Sequence, residues 1–117
     1  MTRAQVRLTA GAEQDLAGIY RRRMAQRGPG GSDGAEALLL RLVDAIEKLA
    51  DHPAKGPVPP ELEALAIRDY RQLSLPPWRI IYWPHAEGGM PTVTVMLIAD
   101  ARRDFRTLLQ ERVLARG

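Results

Sequence analysis

The chain has 117 residues, which suits a single domain over residues 1–117 with one hydrophobic core. Its apolar content of 45%, charged content of 26% and net charge of +3 are typical of a folded protein. It has no cysteine, so disulfides, thiolate metal sites and cysteine nucleophiles are excluded. No apolar run approaches the roughly 18 residues of a membrane span, and Met1–Gln5 opens no signal-peptide pattern, so a soluble cytoplasmic protein is expected.

The positive charge is unevenly distributed along the chain. Residues 1–66 carry nine basic and nine acidic side chains, whereas residues 67–117 carry eight arginines against five acids and account for the whole +3. Fifteen of the 17 basic residues are arginine, a side chain that pairs bidentately with phosphate and stacks on bases. Genomic base composition explains a preference for arginine over lysine, but it does not explain the difference between the two halves.

The first predicted elements are a short strand and a long amphipathic helix. Alternation over Val6–Thr9 predicts the strand, and Thr9 then caps a helix that runs to about Gln26. Apolar residues recur along that helix at spacings typical of one buried face, at Ala12, Leu16, Ile19, Tyr20 and Met24. The helix dipole favours cations at its end, so a solvated, dipole-matched end is the simplest interpretation of Arg21, Arg22, Arg23 and Arg27.

A glycine-rich turn over residues 27–32 separates this helix from a second one. Asp33 and Glu36 resemble a capping box at its start, and it ends at Asp51-His52-Pro53 because the residue before proline avoids the helical region. Its apolar face carries Leu38, Leu39, Leu42, Ile46 and Leu49. The two helices are therefore predicted to form an αα-hairpin.

The second half is predicted to hold three strands and a final helix. A proline-rich loop over residues 53–60 and one helical turn over Glu61–Ala66 come first. The strands follow at Ile67–Leu75, Trp78–Trp83 and Thr92–Ile98. Asp100 then caps a short helix whose inward-facing residues are Phe105, Leu108, Leu109 and Val113. The order β-α-α-β-β-β-α predicts an α+β fold with a small antiparallel sheet.

Few catalytic constellations fit the residue types present. The two histidines, His52 and His85, have no partner at metal-ligand spacing, and the chain contains neither a phosphate-binding loop nor a nucleophile elbow. Neither a metal nor a cofactor is therefore expected.

Arginines and aromatic residues near the predicted sheet carry the remaining chemistry. Arg79 lies within the strand Trp78–Trp83, and a charge in such a strand needs a partner. Other arginines lie on the preceding strand and after the last one, at Arg68, Arg71, Arg102, Arg103 and Arg106. If they converge on one side of the sheet they would bind a phosphodiester backbone. The alternative is that they form surface ion pairs with Asp69, Asp100 and Asp104.

The order and spacing of several short motifs resemble the RelE/ParE superfamily of toxins from bacterial type II toxin–antitoxin modules, over nearly the whole chain. The opening Leu8-Thr9-x-x-Ala12-x-x-x-Asp15-Leu16-x-x-Ile19-Tyr20 and the exit Ile46-x-x-Leu49-x-x-His52-Pro53-x-x-Gly56 are similar to the family's first half. Tyr70-Arg71, Trp78-Arg79-Ile80-Ile81-Tyr82 and Val95-x-Leu97-Ile98-Ala99-Asp100-x-Arg102-Arg103-Asp104 are similar to its last strands and their exit.

The resemblance implies a small antiparallel sheet with an N-terminal helical hairpin packed on one face and a short C-terminal helix. It also implies growth arrest by one of two routes. RelE-like members cleave mRNA in the ribosomal A site and leave a 2′,3′-cyclic phosphate, whereas ParE-like members poison DNA gyrase. Both kinds are silenced by an antitoxin encoded alongside, so the implied partners are a cognate antitoxin and either the ribosome with mRNA or gyrase.

The mRNA interferase route is the leading interpretation, and it assigns roles to six arginines. The residues that match the family's catalytic positions are Arg79, Arg71 and Arg103, and the RNA-binding ones are Arg68, Arg102 and Arg106. Leu73 stands at a second basic position, and Phe105 is the only aromatic residue where a C-terminal tyrosine or histidine would assist proton transfer. Any cleavage would then depend on electrostatic stabilisation by arginines. The alternatives are a ParE-like gyrase inhibitor without nuclease activity, and an inactive relative that only binds antitoxin.

An antitoxin segment is also expected to dock on the final helix. Its apolar residues exceed what a small core can bury, and the residues assigned to antitoxin binding are Leu108, Leu109 and Leu114. A homodimer contact through the same patch is the alternative, and a heterotetramer with antitoxin is the larger assembly considered.

Side chains of a strand alternate between its two faces, so Ile80 and Tyr82 are expected on the face opposite Arg79, against the helical hairpin. Arg79 is therefore expected on an open face of the sheet.

Overall fold

The computed structural model describes residues 3–114. Four strands make up the sheet: β1 (Gln5–Leu8), β2 (Arg71–Leu75), β3 (Trp78–Glu87) and β4 (Met90–Asp100). Four helices accompany them: α1 (Ala10–Arg27), α2 (Ala35–Glu47), α3 (Pro60–Glu63) and α4 (Phe105–Leu109). A 3₁₀ turn, Lys48–Ala50, extends α2, and a π-helical turn, Gln110–Leu114, extends α4. A search of these described residues finds no helix that is long and apolar enough to span a membrane.

The strands form one mixed sheet in the order β1-β4-β3-β2. The pairs β2–β3 and β3–β4 are antiparallel, as expected. The expected all-antiparallel sheet is wrong for one pair, because β1 runs parallel to β4 with Val6 opposite Val93. The whole αα-hairpin and two further strands separate β1 from β4, so no tight turn sets their relative direction. The α+β class and the element order are confirmed.

One face of the sheet packs against the αα-hairpin. Thr9 caps α1 by accepting a hydrogen bond from the Ala12 backbone N–H at 3.0 Å. The strand residues Ile80 and Tyr82 lie in this cluster, as expected from their alternation. The helix residues buried with them are Ala12, Ile19, Leu38, Leu42, Ile46 and Leu49. The apolar residues that recur at helical spacing in the first half of the sequence therefore do form the packed face of the hairpin.

The other face of the sheet is covered as well, which the sequence did not predict. Ile81 and Leu97 from the sheet form a second buried cluster with Leu62 of α3 and with Phe105 and Leu109 of α4. Arg79 does lie on the face opposite Ile80 and Tyr82, but this face is not open. The short C-terminal helix thus closes the second side of the core.

Several local expectations differ from the structure. Strand β2 begins at Arg71 rather than at Ile67, which leaves Arg68 outside the strand. Strand β3 continues to Glu87, so the turn is confined to Gly88 and Gly89, whose φ angles of +59° and +81° suit glycine. The final helix is capped by Asp104, because the Asp100 carboxylate instead accepts hydrogen bonds from Arg102. Helix α2 begins after Gly34 and has no capping side chain.

Candidate functional site

Arg79 is the most constrained of the predicted site residues. Its Nη1 and Nη2 donate to the two carboxylate oxygens of Glu61, each at 2.9 Å. Its Nε and Nη2 also donate to Gln72 Oε1, at 3.2 and 2.5 Å. The guanidinium lies 4.0 Å from the ring centroid of Phe105, a cation–π contact. With only 12% of its side chain exposed, Arg79 joins α3 and α4 to the sheet.

Glu61 is a site residue that the sequence did not indicate. It lies in the first turn of α3 after the proline-rich loop, and 27% of its side chain is exposed. The hydrogen bonds from Arg79 lower the pKa of its carboxyl, although burial opposes that effect. The charge of Arg106 acts in the same direction from farther away. Glu61 therefore provides a carboxylate beside Arg79, whose predicted role at a scissile phosphate stays a prediction.

Arg71 lies away from Arg79. Paired residues of an antiparallel ladder point to the same face of the sheet, and successive residues of a strand alternate between faces. Arg71 pairs with Tyr82, whereas Arg79 pairs with Ser74, three positions along β2 from Arg71. Arg71 consequently shares the hairpin face with Tyr82, where burial raises the pKa of the phenol and the charge of Arg71 opposes that rise. Its Nε is buried, and no hydrogen-bond partner for it lies within residues 3–114. The structure does not bring these two predicted catalytic residues together.

Arg103 lies in a third place, a cleft of about 590 Å³ between α1 and the turn after β4. Arg102 lines the same cleft and pairs with Asp100 through Nη2 and Oδ2 at 2.8 Å. The hydrogen bonds from Arg102 lower the pKa of Asp100 to about 2. We call this site the basic cleft; its arginines are Arg21, Arg22, Arg23, Arg102, Arg103 and Arg112.

The remaining predicted RNA-binding residues lie outside the basic cleft. Arg106 is exposed on α4 and lines a groove of about 460 Å³ between α3 and the C-terminal helix. Arg68 is exposed in the segment before β2. Their roles in nucleic-acid binding stay predictions.

The three leucines predicted to bind antitoxin have different surroundings. Leu108 and Leu109 are buried in the second cluster, so the core does accommodate most of the apolar residues of the final helix. Leu109 and the half-buried Leu114 also line the groove beside α3, together with Leu65, which is 57% exposed. We call this surface the apolar groove. Leu108 instead lines the basic cleft, and antitoxin binding by all three stays a prediction.

Asp15 and Arg112 form a further interaction that sequence reasoning missed. Arg112 Nη2 donates to Asp15 Oδ2 at 2.9 Å and to the Met96 carbonyl at 3.3 Å. Asp15 Oδ2 also accepts the backbone N–H of Ile98 at 3.0 Å. The one feature of the sequence that could have indicated this pair is the position of Asp15, a carboxylate next to the apolar stripe of α1. This pair ties the C-terminal turn to α1 and β4.

Comparisons with known proteins agree with this fold. The chain matches a solved structure of the chromosomal ParDE toxin–antitoxin system from P. aeruginosa with a TM-score of 0.63 and 19% identity, over 83% of this chain and 95% of that one. It matches the RelBE2 toxin–antitoxin complex from Mycobacterium tuberculosis with a TM-score of 0.57 and 19% identity, over 86% and 93%. No curated protein sequence matches it.

A family description matches most of the sequence. The family is the ParE toxin of the type II toxin–antitoxin system parDE, and the match spans residues 6–105, from β1 to the first residue of α4. It therefore includes the hairpin, all of β2, β3 and β4, and all but the first residue of β1. The chain belongs to the RelE/ParE superfamily and, within it, to the ParE toxin family of type II toxin–antitoxin systems.

Proposed function

We propose that this toxin arrests growth by inhibiting DNA gyrase, the activity that the family resemblance assigns to ParE-like members, rather than by cleaving mRNA. The observation that carries this proposal is the separation of the three arginines that cleavage would use. Arg71 lies on the hairpin face, Arg79 is bonded to Glu61 and Gln72, and Arg103 lines the basic cleft. A phosphorane needs its stabilising donors around one point.

The cognate antitoxin is the second partner in this proposal. Exposed Leu65 with Leu109 and Leu114 forms an apolar groove large enough for side chains of a peptide segment. Arg106 and Glu61 border it, so an antitoxin segment there would cover the Arg79 network from outside.

One observation favours ribosome-dependent mRNA cleavage as a second candidate. Glu61 and Arg79 place a carboxylate beside a guanidinium, and such a pair has the elements for attack of a 2′-hydroxyl on phosphorus. The carboxylate would take the 2′-hydroxyl proton as O2′ bonds to phosphorus, the P–O5′ bond would break, and the leaving O5′ would take up a proton from water, which gives a 2′,3′-cyclic phosphate and a 5′-hydroxyl. Against it, the lowered pKa makes Glu61 a weak base, and the pair occupies the donors that a phosphate would need.

The test follows DNA and protein synthesis after induction of the toxin. Gyrase inhibition predicts an SOS response, an early fall in thymidine incorporation, and loss of supercoiling by purified gyrase when the toxin is added. An early fall in amino-acid incorporation, with mRNA cuts seen by primer extension only when ribosomes are present, would overturn the proposal in favour of cleavage. No growth defect at all would overturn the proposal and favour a relative that only binds antitoxin.

A substitution separates the two activities on a folded protein. Glu61→Gln keeps the size of the side chain and removes its basicity, so gyrase inhibition should survive in variants that still melt cooperatively. Cleavage that uses Glu61 as its base should fall by about 10²-fold or more. Glu63→Gln makes the same substitution at an exposed position of α3 and serves as the matched control.

A further inference from the structure

The basic cleft contains an arginine run that neither candidate activity uses. Arg21, Arg22 and Arg23 lie on α1, and the tertiary fold places them on the wall opposite Arg102 and Arg103. The cleft also contains Arg112, so six arginines line it against two aspartates, Asp15 and Asp100, which leaves four net positive charges. The two runs are about 80 residues apart in the sequence, and only the fold brings them together.

Half of these arginines have polar partners and half do not. Arg112 pairs with Asp15, Arg102 pairs with Asp100, and Arg23 donates to the Asp33 carbonyl at 2.8 Å. The side chains of Arg21, Arg22 and Arg103 form neither an ion pair nor a hydrogen bond with any part of the chain between residues 3 and 114. All three are exposed, so their guanidinium groups remain available to a ligand.

The helix dipole does not account for Arg21 and Arg22. Helix α1 continues to Arg27, and the favourable effect of the dipole on cations falls off within the last turn. Arg27 occupies that turn, whereas Arg21 and Arg22 precede it. The interpretation of the whole run as a dipole-matched helix end therefore fits Arg27 but not Arg21 and Arg22.

The lining of the cleft also distinguishes between kinds of ligand. Its apolar lining residues Ile19, Leu38, Leu97 and Ile98 are buried in the core. Exposed Pro77 and half-buried Trp78 also line the cleft, so a ligand meets only a limited apolar surface there. An amphipathic peptide docks through apolar anchors, and those are found in the apolar groove at Leu65. The basic cleft presents mainly guanidinium groups, which pair bidentately with phosphate.

We propose that the basic cleft binds the phosphodiester backbone of a nucleic acid, with Arg21, Arg22 and Arg103 as the contacting residues. This goes beyond the proposed function, since purified toxin would bind phosphates whether it inhibits gyrase or cleaves mRNA. Either target works on a nucleic acid, so phosphate binding would hold the toxin next to its target's own substrate. Duplex DNA and single-stranded RNA share the recognised group.

The test measures binding of the full chain to a 5′-labelled duplex DNA and to a single-stranded RNA of the same length, by fluorescence anisotropy at several salt concentrations. The variant Arg21→Gln/Arg22→Gln/Arg103→Gln removes the three contacts. Arg7→Gln/Arg27→Gln/Arg41→Gln removes the same net charge from exposed positions outside the cleft, and is the matched control. Thermal melting establishes that each variant is folded.

The cleft variant should bind about tenfold or more weakly, and its slope of log Kd against log salt on duplex DNA should fall by about 2 to 3, because each lost phosphate contact removes about 0.9. The control should change the slope by less than about 1. Whichever of the two nucleic acids loses more affinity in the cleft variant is the one whose phosphates the cleft prefers. An equal loss in the control, no binding by the wild type, or a cleft variant that loses only antitoxin binding would each overturn the proposal.

Discussion

The Glu61–Arg79 pair allows a quantitative test of what Arg79 does in the folded protein. Glu61→Gln keeps the side-chain shape and one acceptor oxygen, but it removes the charge and one of the two hydrogen bonds from Arg79. Arg79 would keep Gln72 Oε1 and the Phe105 ring as its remaining contacts. The substitution therefore weakens the connection between α3 and the sheet without opening a cavity.

The burial of the two side chains sets the expected size of the effect. Exposed ion pairs contribute about 0–1 kcal/mol, whereas breaking a buried pair costs about 3–5 kcal/mol. With 12% and 27% of the two side chains exposed, this pair lies between those limits. We expect Glu61→Gln to lower the free energy of unfolding by about 2 kcal/mol, which is in the range of a hydrogen bond to a charged group.

The assay is urea unfolding of the wild type, Glu61→Gln, Arg79→Met and the double variant, combined as a double-mutant cycle. A coupling energy of about 1–2 kcal/mol is expected, since the second substitution removes a partner that is already weakened. If Glu61→Gln costs less than about 0.5 kcal/mol and the coupling is near zero, the pair does not hold α3 on the sheet, and Arg79 would be available to a phosphate instead.

Two further predictions concern other parts of the fold, and a third concerns the pH dependence of Glu61. Asp15→Asn should lower the free energy of unfolding by about 2 kcal/mol and speed amide exchange in the C-terminal turn, because Arg112 loses its charged partner. Gly56→Ala would place a methyl 2.2 Å from a backbone oxygen of β2 and should cost about 1–3 kcal/mol in urea unfolding, whereas Gly30→Ala, with open space around it, should stay within about 0.5. The pKa of Glu61 is lowered on folding, so its share of stability is present above its ordinary value of 4.5 and is lost as the pH falls through the lowered value. The difference in unfolding free energy between wild type and Glu61→Gln should therefore shrink in acid, and a constant difference would contradict the assignment.

The hairpin was predictable because its signal is local. Thr9 precedes an apolar stripe of helical period, and the glycine-rich turn separates two such stripes, so the start of α1 and the packed face follow from sequence spacing. The direction of β1 was not predictable in that way. Alternation assigns side chains to faces and carries no information about the direction of a neighbouring strand.

The separation of Arg71 from Arg79 was contained in the sequence and was overlooked. Pro76 and Pro77 are the only residues between β2 and β3, and such a short connection sets the register with Leu75 opposite Trp78. Arg79 then falls opposite Ser74, three positions from Arg71, and an odd separation places two side chains on opposite faces. The partner of Arg79 could not be found by the same reasoning, since Glu61 approaches it through tertiary packing of α3.

The charge asymmetry of the sequence pointed to the second half as the anion-binding part, and the structure changes what that asymmetry means. Arg79, Arg102 and Arg112, all from the second half, have carboxylate partners and stabilise the fold or its turns. Arg21 and Arg22 belong to the electrically neutral half, yet they have no such partner within the described part of the chain. Net charge over a segment counts paired and unpaired arginines alike, whereas a ligand is attracted mainly by the unpaired ones. The residues available to an anion are therefore found by asking which carboxylate each arginine contacts, and that depends on the tertiary fold.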